Sequence, residues 1–137
     1  MRDLHSNILV SRAISPVNAG SGDTAIVSEI IDTKDYDSLE FVIATGSLSD
    51  SDATFTVLVE DGNVSTLTDN AAVADANLLG TEALASFTFS ADNTVEKIGY
   101  RGDKRYVRLT ITPANNTGDV YLSAVAIQGH PRGAPVA

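Results

Sequence analysis

The sequence predicts an all-β fold: a two-sheet antiparallel sandwich of the eight-stranded jelly-roll type, with extended N- and C-terminal arms and at most one short helix. Three observations favour this fold. Apolar and polar residues alternate along several short segments, as they do in strands that bury one face. Residues that form turns separate these segments at short intervals, which is typical of sandwiches. The chain has 137 residues, enough for one domain with its own core.

The alternation is clearest between residues 104 and 112, where Tyr106, Arg108 and Thr110 separate three apolar residues. Residues 121–127 are mostly apolar at both alternating sets of positions, so this strand is expected to be covered on both faces. Weaker patterns predict four further strands within residues 8–14, 24–31, 84–89 and 95–100. The nine residues that the clearest patterns place in the core are Leu39, Phe41, Ile43, Phe55, Val57, Val59, Val107, Leu109 and Ile111.

Turns and one helical segment connect the predicted strands. Gly, Asn, Asp and Ser favour turns because they adopt positive φ or bond to nearby backbone. Residues 68–80 do not alternate and are rich in Ala, so they predict one or two helical turns capped by Thr68 or Asp69 and ended by Gly80. Turn-forming loops are predicted at residues 18–23, 46–52, 101–103 and 113–118.

The two ends of the chain are predicted to be arms on a sandwich of residues 8–128. Residues 1–7 are polar and mixed in character. Residues 129–137 contain two Pro and two Gly, which disfavour both a helix and a central strand. Such ends become ordered only where something holds them. No second domain and no internal repeat is evident.

Composition narrows the function classes. The chain has no Cys, which excludes a disulfide, a thiolate nucleophile and a Cys-bearing zinc site. Its net charge is −9, from 18 acidic and 9 basic residues, which disfavours binding to nucleic acid. No apolar run approaches the ~20 residues of a membrane-spanning helix, and the N-terminus lacks the pattern of a signal peptide. We therefore expect neither nucleic acid nor membrane as a partner.

The basic residues are unevenly distributed. Five of them lie between positions 97 and 108. One interpretation is a solvated strand-and-turn face; the other is a patch that docks on an acidic protein surface. Tyr100 and Tyr106 are expected to flank this turn on a wet face. Residues 101–103 spell Arg-Gly-Asp, which we interpret as turn chemistry.

Catalytic and metal sites are not expected. The two histidines, His5 and His130, both lie in the predicted arms, which do not hold a side chain as rigidly as catalysis requires. Acidic residues cluster at Asp32, Asp35 and Asp37 and again in the 46–52 loop, where calcium is an alternative to turn and capping roles. Neither cluster has the Gly and Glu of an EF-hand loop. The sequence thus predicts a binding protein without enzymatic activity or cofactor.

A carbohydrate-binding module is the alternative within the sandwich class. Sugar sites usually stack rings on exposed aromatic side chains, whereas this chain has no Trp, four Tyr and four Phe. Most of the Phe positions are predicted to face the core. The sequence therefore indicates a contact surface without identifying it as a sugar site.

Several blocks of the sequence, taken together and in order, resemble a family of small proteins encoded in the head-gene region of tailed bacteriophages and prophages. The resemblance extends over nearly the full length and includes no catalytic motif. The blocks are residues 2–8, 13–16, 36–46, 75–82, 99–109 and 129–132.

This resemblance implies a head decoration, or cement, protein of jelly-roll type. It implies that the protein is made in the host cytoplasm and binds the outer surface of the capsid in the virion, where it bridges neighbouring subunits of the major capsid protein and stabilises the shell. It also implies self-association, with a homodimer favoured and a trimer as the alternative. A virion-displayed adhesion or carbohydrate-binding module is the second hypothesis.

Contact with the capsid is expected through the two arms and the basic turn. Arms lose conformational entropy when they become ordered, about 1–2 kcal/mol per residue, so they require extensive contact. The residues expected to contact the capsid or another partner are Arg2, His5, Tyr100, Arg101, Lys104, Arg105, Tyr106, Arg108, His130 and Arg132.

Overall fold

A computed structural model, which describes residues 2–136, shows two antiparallel β-sheets packed face to face. One sheet has five strands and the other has six. The strands are β1 (Leu9–Ile14), β2 (Ile26–Val27), β3 (Ile31–Asp32), β4 (Tyr36–Leu48), β5 (Thr54–Gly62), β6 (Ala71–Ala72), β7 (Leu78–Leu79), β8 (Phe87–Thr88), β9 (Val95–Tyr100), β10 (Tyr106–Ala114) and β11 (Val120–Pro131). A single α-helix, α1 (Glu82–Ala85), is found among the described residues, with 3₁₀ turns at His5–Asn7 and Asp75–Asn77.

The strand order is that of a jelly roll. The five-stranded sheet has the order β1-β11-β4-β9-β7, and the six-stranded sheet has the order β2-β10-β5-β6. Strand β3 pairs with β10, as β2 does, so β2 and β3 are two parts of one interrupted strand. Strand β8 pairs with β5, as β6 does, so β6 and β8 are also two parts of one interrupted strand. When each interrupted strand is counted once and the two-residue β7 is left out, the chain has eight strands. One sheet then contains the first, eighth, third and sixth of these strands, and the other contains the second, seventh, fourth and fifth, which is the jelly-roll order. The predicted fold class is confirmed.

The core lies between the sheets. All nine residues that the alternation placed there are buried, with at most 3% of any of these residues exposed. Phe55 on β5 also stacks on Phe87 of β8, with ring centroids 5.0 Å apart. Burial of each such large apolar side chain contributes about 1.5–3 kcal/mol, which makes these inner faces the main source of stability.

The helix lies later in the chain than the composition predicts. Residues 68–80 contain β6, a 3₁₀ turn and β7, and α1 follows Gly80, where Thr81 Oγ1 accepts a hydrogen bond from the Leu84 amide at 3.0 Å. Asp69, expected as a cap, instead accepts hydrogen bonds from the amides of Asn63 and Val64. Gly80 has a φ of +84°, so it marks the turn that precedes the helix. Because α1 occupies residues 82–85, the strand expected at 84–89 shortens to β8.

Strand β11 continues into the expected C-terminal tail, through Gly129, His130 and Pro131. Strand β1 begins at Leu9, opposite Gln128, so beyond that point β11 is paired only with β4. Proline is tolerated at this edge because no second strand is present to accept a hydrogen bond from the N–H that proline lacks.

The remaining tail lies against the N-terminal segment. The Val136 amide donates to the Ser6 carbonyl at 2.9 Å, and the Arg132 amide donates to the Asp35 carbonyl at 2.9 Å.

Met1 and Ala137, the extremities of the two expected arms, lie outside the described residues. Within residues 2–136, no helix is long and apolar enough to cross a membrane.

Candidate functional site

The outer face of the five-stranded sheet carries small and β-branched apolar side chains beside the charged side chains of Arg12, Glu40 and Lys97. Val125 on β11 lies opposite Val42 on β4, and Ala44 lies opposite Val95 on β9. Val10 lies at the edge, on β1. Val10 and Val95 are 54% and 64% exposed. Exposed contiguous apolar surface of this kind marks sites of protein contact. We refer to Val10, Val42, Ala44, Val95 and Val125 as the valine face.

An apolar groove adjoins the valine face at one end of the sheet and has a volume of about 740 Å³. The N-terminal segment and β7 supply its two sides, and Leu4 and Leu79 are 62% and 50% exposed. These segments are more than seventy positions apart in sequence, so the groove exists only in the folded chain. Its aliphatic and proline lining consists of Leu4, Ile8, Leu39, Leu79, Ile127 and Pro131.

Two glycines lie against side chains that line the groove. A Cβ added at Gly99 would collide with Glu40 Oε2 and lie 2.9 Å from Leu79 Cβ. A Cβ at Gly129 would lie 2.9 Å from Ser38 Oγ. Glycines inside strands often mark places where another group approaches the backbone closely. Here they leave room for the side chains of Glu40, Leu79 and Ser38.

Three of the residues expected to contact a partner line the groove, namely Tyr100, Arg101 and His130, and the last two form its polar rim. Arg101 donates from Nε to the Ala76 carbonyl at 3.1 Å, which holds its guanidinium beside β7. His130 lies 2.9 Å from Ser38 Oγ through Nδ1, and its φ is +49°. Both side chains are thus held at the mouth of an apolar surface.

A polar cavity of about 410 Å³ lies beside the groove. It is bounded by the turn before β4, the loop between β9 and β10, and the residue after β11. Its lining contains two aromatic residues, Tyr36 and the buried Tyr100, together with side chains of both charges. The charged lining residues are Lys34, Asp35, Asp37, Asp103, Lys104, Arg105 and Arg132.

The groove and the cavity together form the least acidic end of the molecule. They contain five of the nine basic residues, Lys34, Arg101, Lys104, Arg105 and Arg132, but only four of the eighteen acidic ones, Asp35, Asp37, Glu40 and Asp103. The rest of this acidic chain carries the opposite balance. We refer to this end, with its groove, rim and cavity, as the docking end.

Arg105 is tied to its own chain. Its Nε and one terminal nitrogen donate to the two carboxylate oxygens of Asp32, each at 2.9 Å, and its guanidinium lies 5.0 Å from the centre of the Tyr106 ring. The hydrogen bonds from Arg105 lower the pKa of Asp32, and those to Asp32 raise the pKa of Arg105. Much of the Arg105 charge is therefore neutralised within the chain.

The other cations of the docking end are freer to meet a partner. Lys34, Arg101 and Lys104 have no carboxylate within 4.0 Å among residues 2–136. Arg132 lies 3.5 Å from an Asp37 oxygen, and both side chains are largely exposed. Exposed pairs of this kind are weak and exchange readily for other partners.

Tyr100 does not lie on a wet face as predicted. Its side chain is buried, with 4% of the residue exposed, and its hydroxyl donates to Asp61 at 2.8 Å and accepts from the Lys104 amide at 3.0 Å. Burial, followed by the hydrogen bond to Asp61, raises the pKa of this phenol. Gly102 lies against the ring, where a Cβ would come within 2.5 Å of the hydroxyl, so this glycine is required for close approach and not for a positive φ.

Tyr106 and Arg108 lie on the outer face of the six-stranded sheet, away from the groove. Arg108 donates to Glu60 across strands β10 and β5 at 3.1 Å, with the two side chains 22% and 15% exposed. Arg105, whose guanidinium lies over the Tyr106 ring, connects this face to the docking end. Arg2 and His5 are exposed at the N-terminal segment, where His5 opens the 3₁₀ turn that packs beside β11.

The acidic clusters act within loops. Asp50 accepts hydrogen bonds from the Thr117 amide, the Thr117 hydroxyl and the Asp52 amide, and these bonds lower its pKa. Asp32 is bonded to Arg105 and to the Lys34 amide. Within the part of the chain that the structure describes, no three His, Cys, Asp or Glu side chains are grouped to hold a metal ion.

Sequence reasoning did not identify the apolar half of the docking end. Leu4 belongs to the segment that was expected to be a polar arm, and Ile8 to the start of a predicted strand. Leu79 lies in a segment that was expected to be helical. The one available signal was the apolar character of residues 121–127 at both sets of alternating positions, which includes Val125 and Ile127. These outward residues are half-buried only by their neighbours in the sheet.

Comparison with known proteins does not assign a family. No protein-family model matches the chain, and none of the curated proteins matches it. Among solved structures, the SPBc2 prophage-derived protein YomS is similar with 14% identity and a TM-score of 0.45, over 88% of this chain and 94% of that one.

Several other similar structures are described as carbohydrate-binding modules. The CBM22-1-GH10 modules of the xylanase Xyn10B from Clostridium thermocellum, complexed with xylohexaose, match with 13% identity and a TM-score of 0.47 over 98% of this chain and 28% of that one. A CBM35 from Paenibacillus barcinonensis matches with 14% identity and a TM-score of 0.42, over 90% and 93%. At these values the similarity carries no argument about binding, which has to rest on the site.

Proposed function

We propose that this chain is a non-catalytic capsid decoration, or cement, protein that binds the outer surface of a tailed-phage head through its docking end. The observation that carries the proposal is an exposed apolar groove beside basic residues in a chain whose surface is otherwise acidic. A stable protein contact needs apolar anchors at its centre and a polar rim that orients them. The groove and its rim supply both.

The chemistry of the partner follows from this arrangement. The groove would take apolar side chains from the major capsid protein, and Arg101, Lys104 and Arg132 would face acidic residues around them. Capsid lattices present the same site many times, and a molecule that touches two neighbouring subunits gains effective concentration at its second contact. Modest contacts at the docking end would therefore suffice to bridge subunits and stabilise the shell in the virion.

The experiment mixes the purified chain with undecorated heads and measures co-sedimentation over a concentration series. Saturation at a stoichiometry set by the lattice is expected. Leu79→Glu places a charge in the groove and should weaken binding by more than about tenfold, because a buried unpaired charge has to be desolvated. Leu84→Glu, which changes a leucine on α1 that is 75% exposed, is the matched control and should bind like the unchanged protein.

Two results would contradict the proposal. One is the absence of saturable binding to any form of the head. The other is equal binding by Leu79→Glu and by its control, which would show that the groove does not carry the contact. Circular dichroism and thermal melting of both variants confirm that each is folded before binding is compared.

A carbohydrate-binding module is the second candidate, favoured by the polar cavity. Its lining offers donors on Lys34 and Arg132, acceptors on Asp35 and Asp37, and the ring of Tyr36, a combination that suits the hydroxyl groups and the apolar face of a sugar. The Tyr100 and Tyr106 pair expected from the sequence does not form an exposed platform, since Tyr100 is buried. Binding on a glycan array without binding to heads would favour this candidate.

A further inference from the structure

The valine face has the character of a sheet surface that packs against another sheet. Its residues are small or β-branched and lie on four neighbouring strands, with Ser123 beside Ala44 in the same array. The aromatic side chain of this array is Tyr121, near the start of β11, so none stands in the middle of the face to keep a second sheet away. Stacked sheets approach to about 10 Å when their facing side chains are of this size.

Charge on this face permits self-association. The outward positions around the valine face carry two cations, Arg12 and Lys97, and one carboxylate, Glu40, while Glu29 approaches the edge to bond Arg12 at 3.3 Å. The face is thus balanced in charge. The whole chain has a net charge of −9, so most of its surfaces would repel those of a second copy. On this face, a cation of one copy can meet the carboxylate of another.

The available area sets the strength of the contact. The four strands β1, β11, β4 and β9 present a face about 19 Å wide and about 20 Å long, because β1 and β9 have six residues each, at roughly 4.8 Å per strand and 3.3 Å per residue. This is about 400 Å² per copy before side-chain relief is added, below the ~800 Å² of a standard interface. Contacts of this size are weak and transient, so we expect a reversible dimer.

We infer that the valine face is the contact for a second copy of this chain, sheet against sheet about a two-fold axis. A self-complementary contact of this kind uses the same surface on both copies and closes as a dimer. The contact borders the groove at Ile127, which lies between Val10 and Glu40, and it leaves the sides formed by the N-terminal segment and β7 open. The inference names a surface for self-association and does not depend on whether the partner at the docking end is a capsid.

The test uses two valines in matched positions. Val10 lies on the edge strand β1 of the five-stranded sheet and is 54% exposed; Val27 lies on the edge strand β2 of the six-stranded sheet and is 52% exposed. Sedimentation velocity of the full chain is expected to show a monomer–dimer equilibrium between about 1 and 500 μM. Val10→Glu should weaken dimerisation by more than about tenfold, and Val27→Glu should leave it unchanged.

A second measurement locates the contact without a destabilising change. Because the chain has no Cys, Ala44→Cys introduces a single thiol on the valine face, and Thr112→Cys introduces one on the outer face of the six-stranded sheet. A short bis-maleimide linker should join two copies of the Ala44→Cys protein and not of the Thr112→Cys protein. A chain that is monomeric over the whole concentration range, or that is joined equally well through both thiols, overturns the inference.

The outcome is separable from that of the head-binding experiment. If the unchanged chain is monomeric and Val10→Glu abolishes binding to heads, the valine face contacts the shell and not a second copy. Loss of dimerisation by Val10→Glu with head binding still sensitive to Leu79→Glu would support both proposals independently.

Discussion

The outer faces of the two sheets differ although their inner faces are alike. The five-stranded sheet exposes valine and alanine side chains on its outer face, whereas the six-stranded sheet exposes Thr54, Thr56 and Thr112 together with the ion pair of Arg108 and Glu60. The two inner faces are mainly apolar, with Gln128 and Thr45 as buried polar exceptions. A sheet needs one apolar face to fold, so a second apolar face requires another reason. The proposed contact with a second copy rests on this exposed apolar surface.

The largest effect should come from adjacent residues on opposite faces of one strand. Phe41 on β4 is fully buried, and Val42 points outward onto the valine face. Phe41→Ala should destabilise the fold by about 3–5 kcal/mol, because it leaves a cavity in the core. Val42→Ala should cost less than about 1 kcal/mol, because its neighbours cover it only in part.

Chemical denaturation of the two variants measures this difference. Similar losses of stability would show that the outer face contributes to folding as the core does, and the comparison between the faces would then fail.

A smaller effect should distinguish two charge pairs, one on each sheet. Arg108 and Glu60 lie between strands with most of each side chain covered, whereas Arg12 and Glu29 are 62% and 64% exposed. Arg108→Ala leaves a covered carboxylate without its partner and should cost about 1–3 kcal/mol. Arg12→Ala should cost about 0–1 kcal/mol, since exposed pairs contribute little.

The measurement is the free energy of unfolding in two double-mutant cycles. One cycle combines Arg108→Ala with Glu60→Gln and the other combines Arg12→Ala with Glu29→Gln, and each gives the coupling energy of its pair. Equal coupling energies in the two cycles would contradict the assignment.

The smallest effect concerns one hydrogen bond between the two sheets. Tyr100 on β9 of one sheet donates to Asp61 on β5 of the other. Burial and this hydrogen bond raise its pKa above the ordinary value of 10.0, so the folded chain keeps the phenol neutral where the unfolded chain ionises. Stability from this group is therefore complete below about pH 10 and is lost as pH rises above it.

Tyr100→Phe should lower stability at neutral pH by about 0.5–1.5 kcal/mol and make it less dependent on pH between about 9 and 11. Urea denaturation across that range checks the result, with Tyr121→Phe as the exposed control. A parallel pH dependence of the unchanged and Tyr100→Phe proteins would assign the alkaline loss to another group.

Several predictions from the sequence were local and held for a local reason. Alternation with a period of two placed Leu39, Val57 and Leu109 in the core, because successive side chains of a strand point to opposite faces. Asn115, with a φ of +57°, and Gly22, with a φ of +110°, lie in loops predicted from their turn-forming residues. Such inferences need only the neighbouring residues.

Predictions that depended on distant residues were less successful. The sequence did not indicate the ion pair of Arg105, because Asp32 lies 73 positions away; contact of Arg105 with a partner stays a prediction. Tyr100 was expected to be exposed, yet the loop that follows it folds back over its ring. The segment before Gly80 was expected to be a helix, but pairing with β5 and β9 draws β6 and β7 into the sheets. In this last case tertiary pairing overrides weak local propensity.

The sequence by itself determined the all-β class, the core residues, the lack of thiol chemistry and the acidic net charge, since each depends on composition or on the two-residue repeat of a strand. Only the tertiary structure decided which outward-facing residues share a surface. The register of β1, β11, β4 and β9 brings Val10, Val125, Val42 and Val95 onto one face, and the meeting of the N-terminal segment with β7 makes the groove. Those contacts join positions far apart in the chain, and a local pattern carries no information about them.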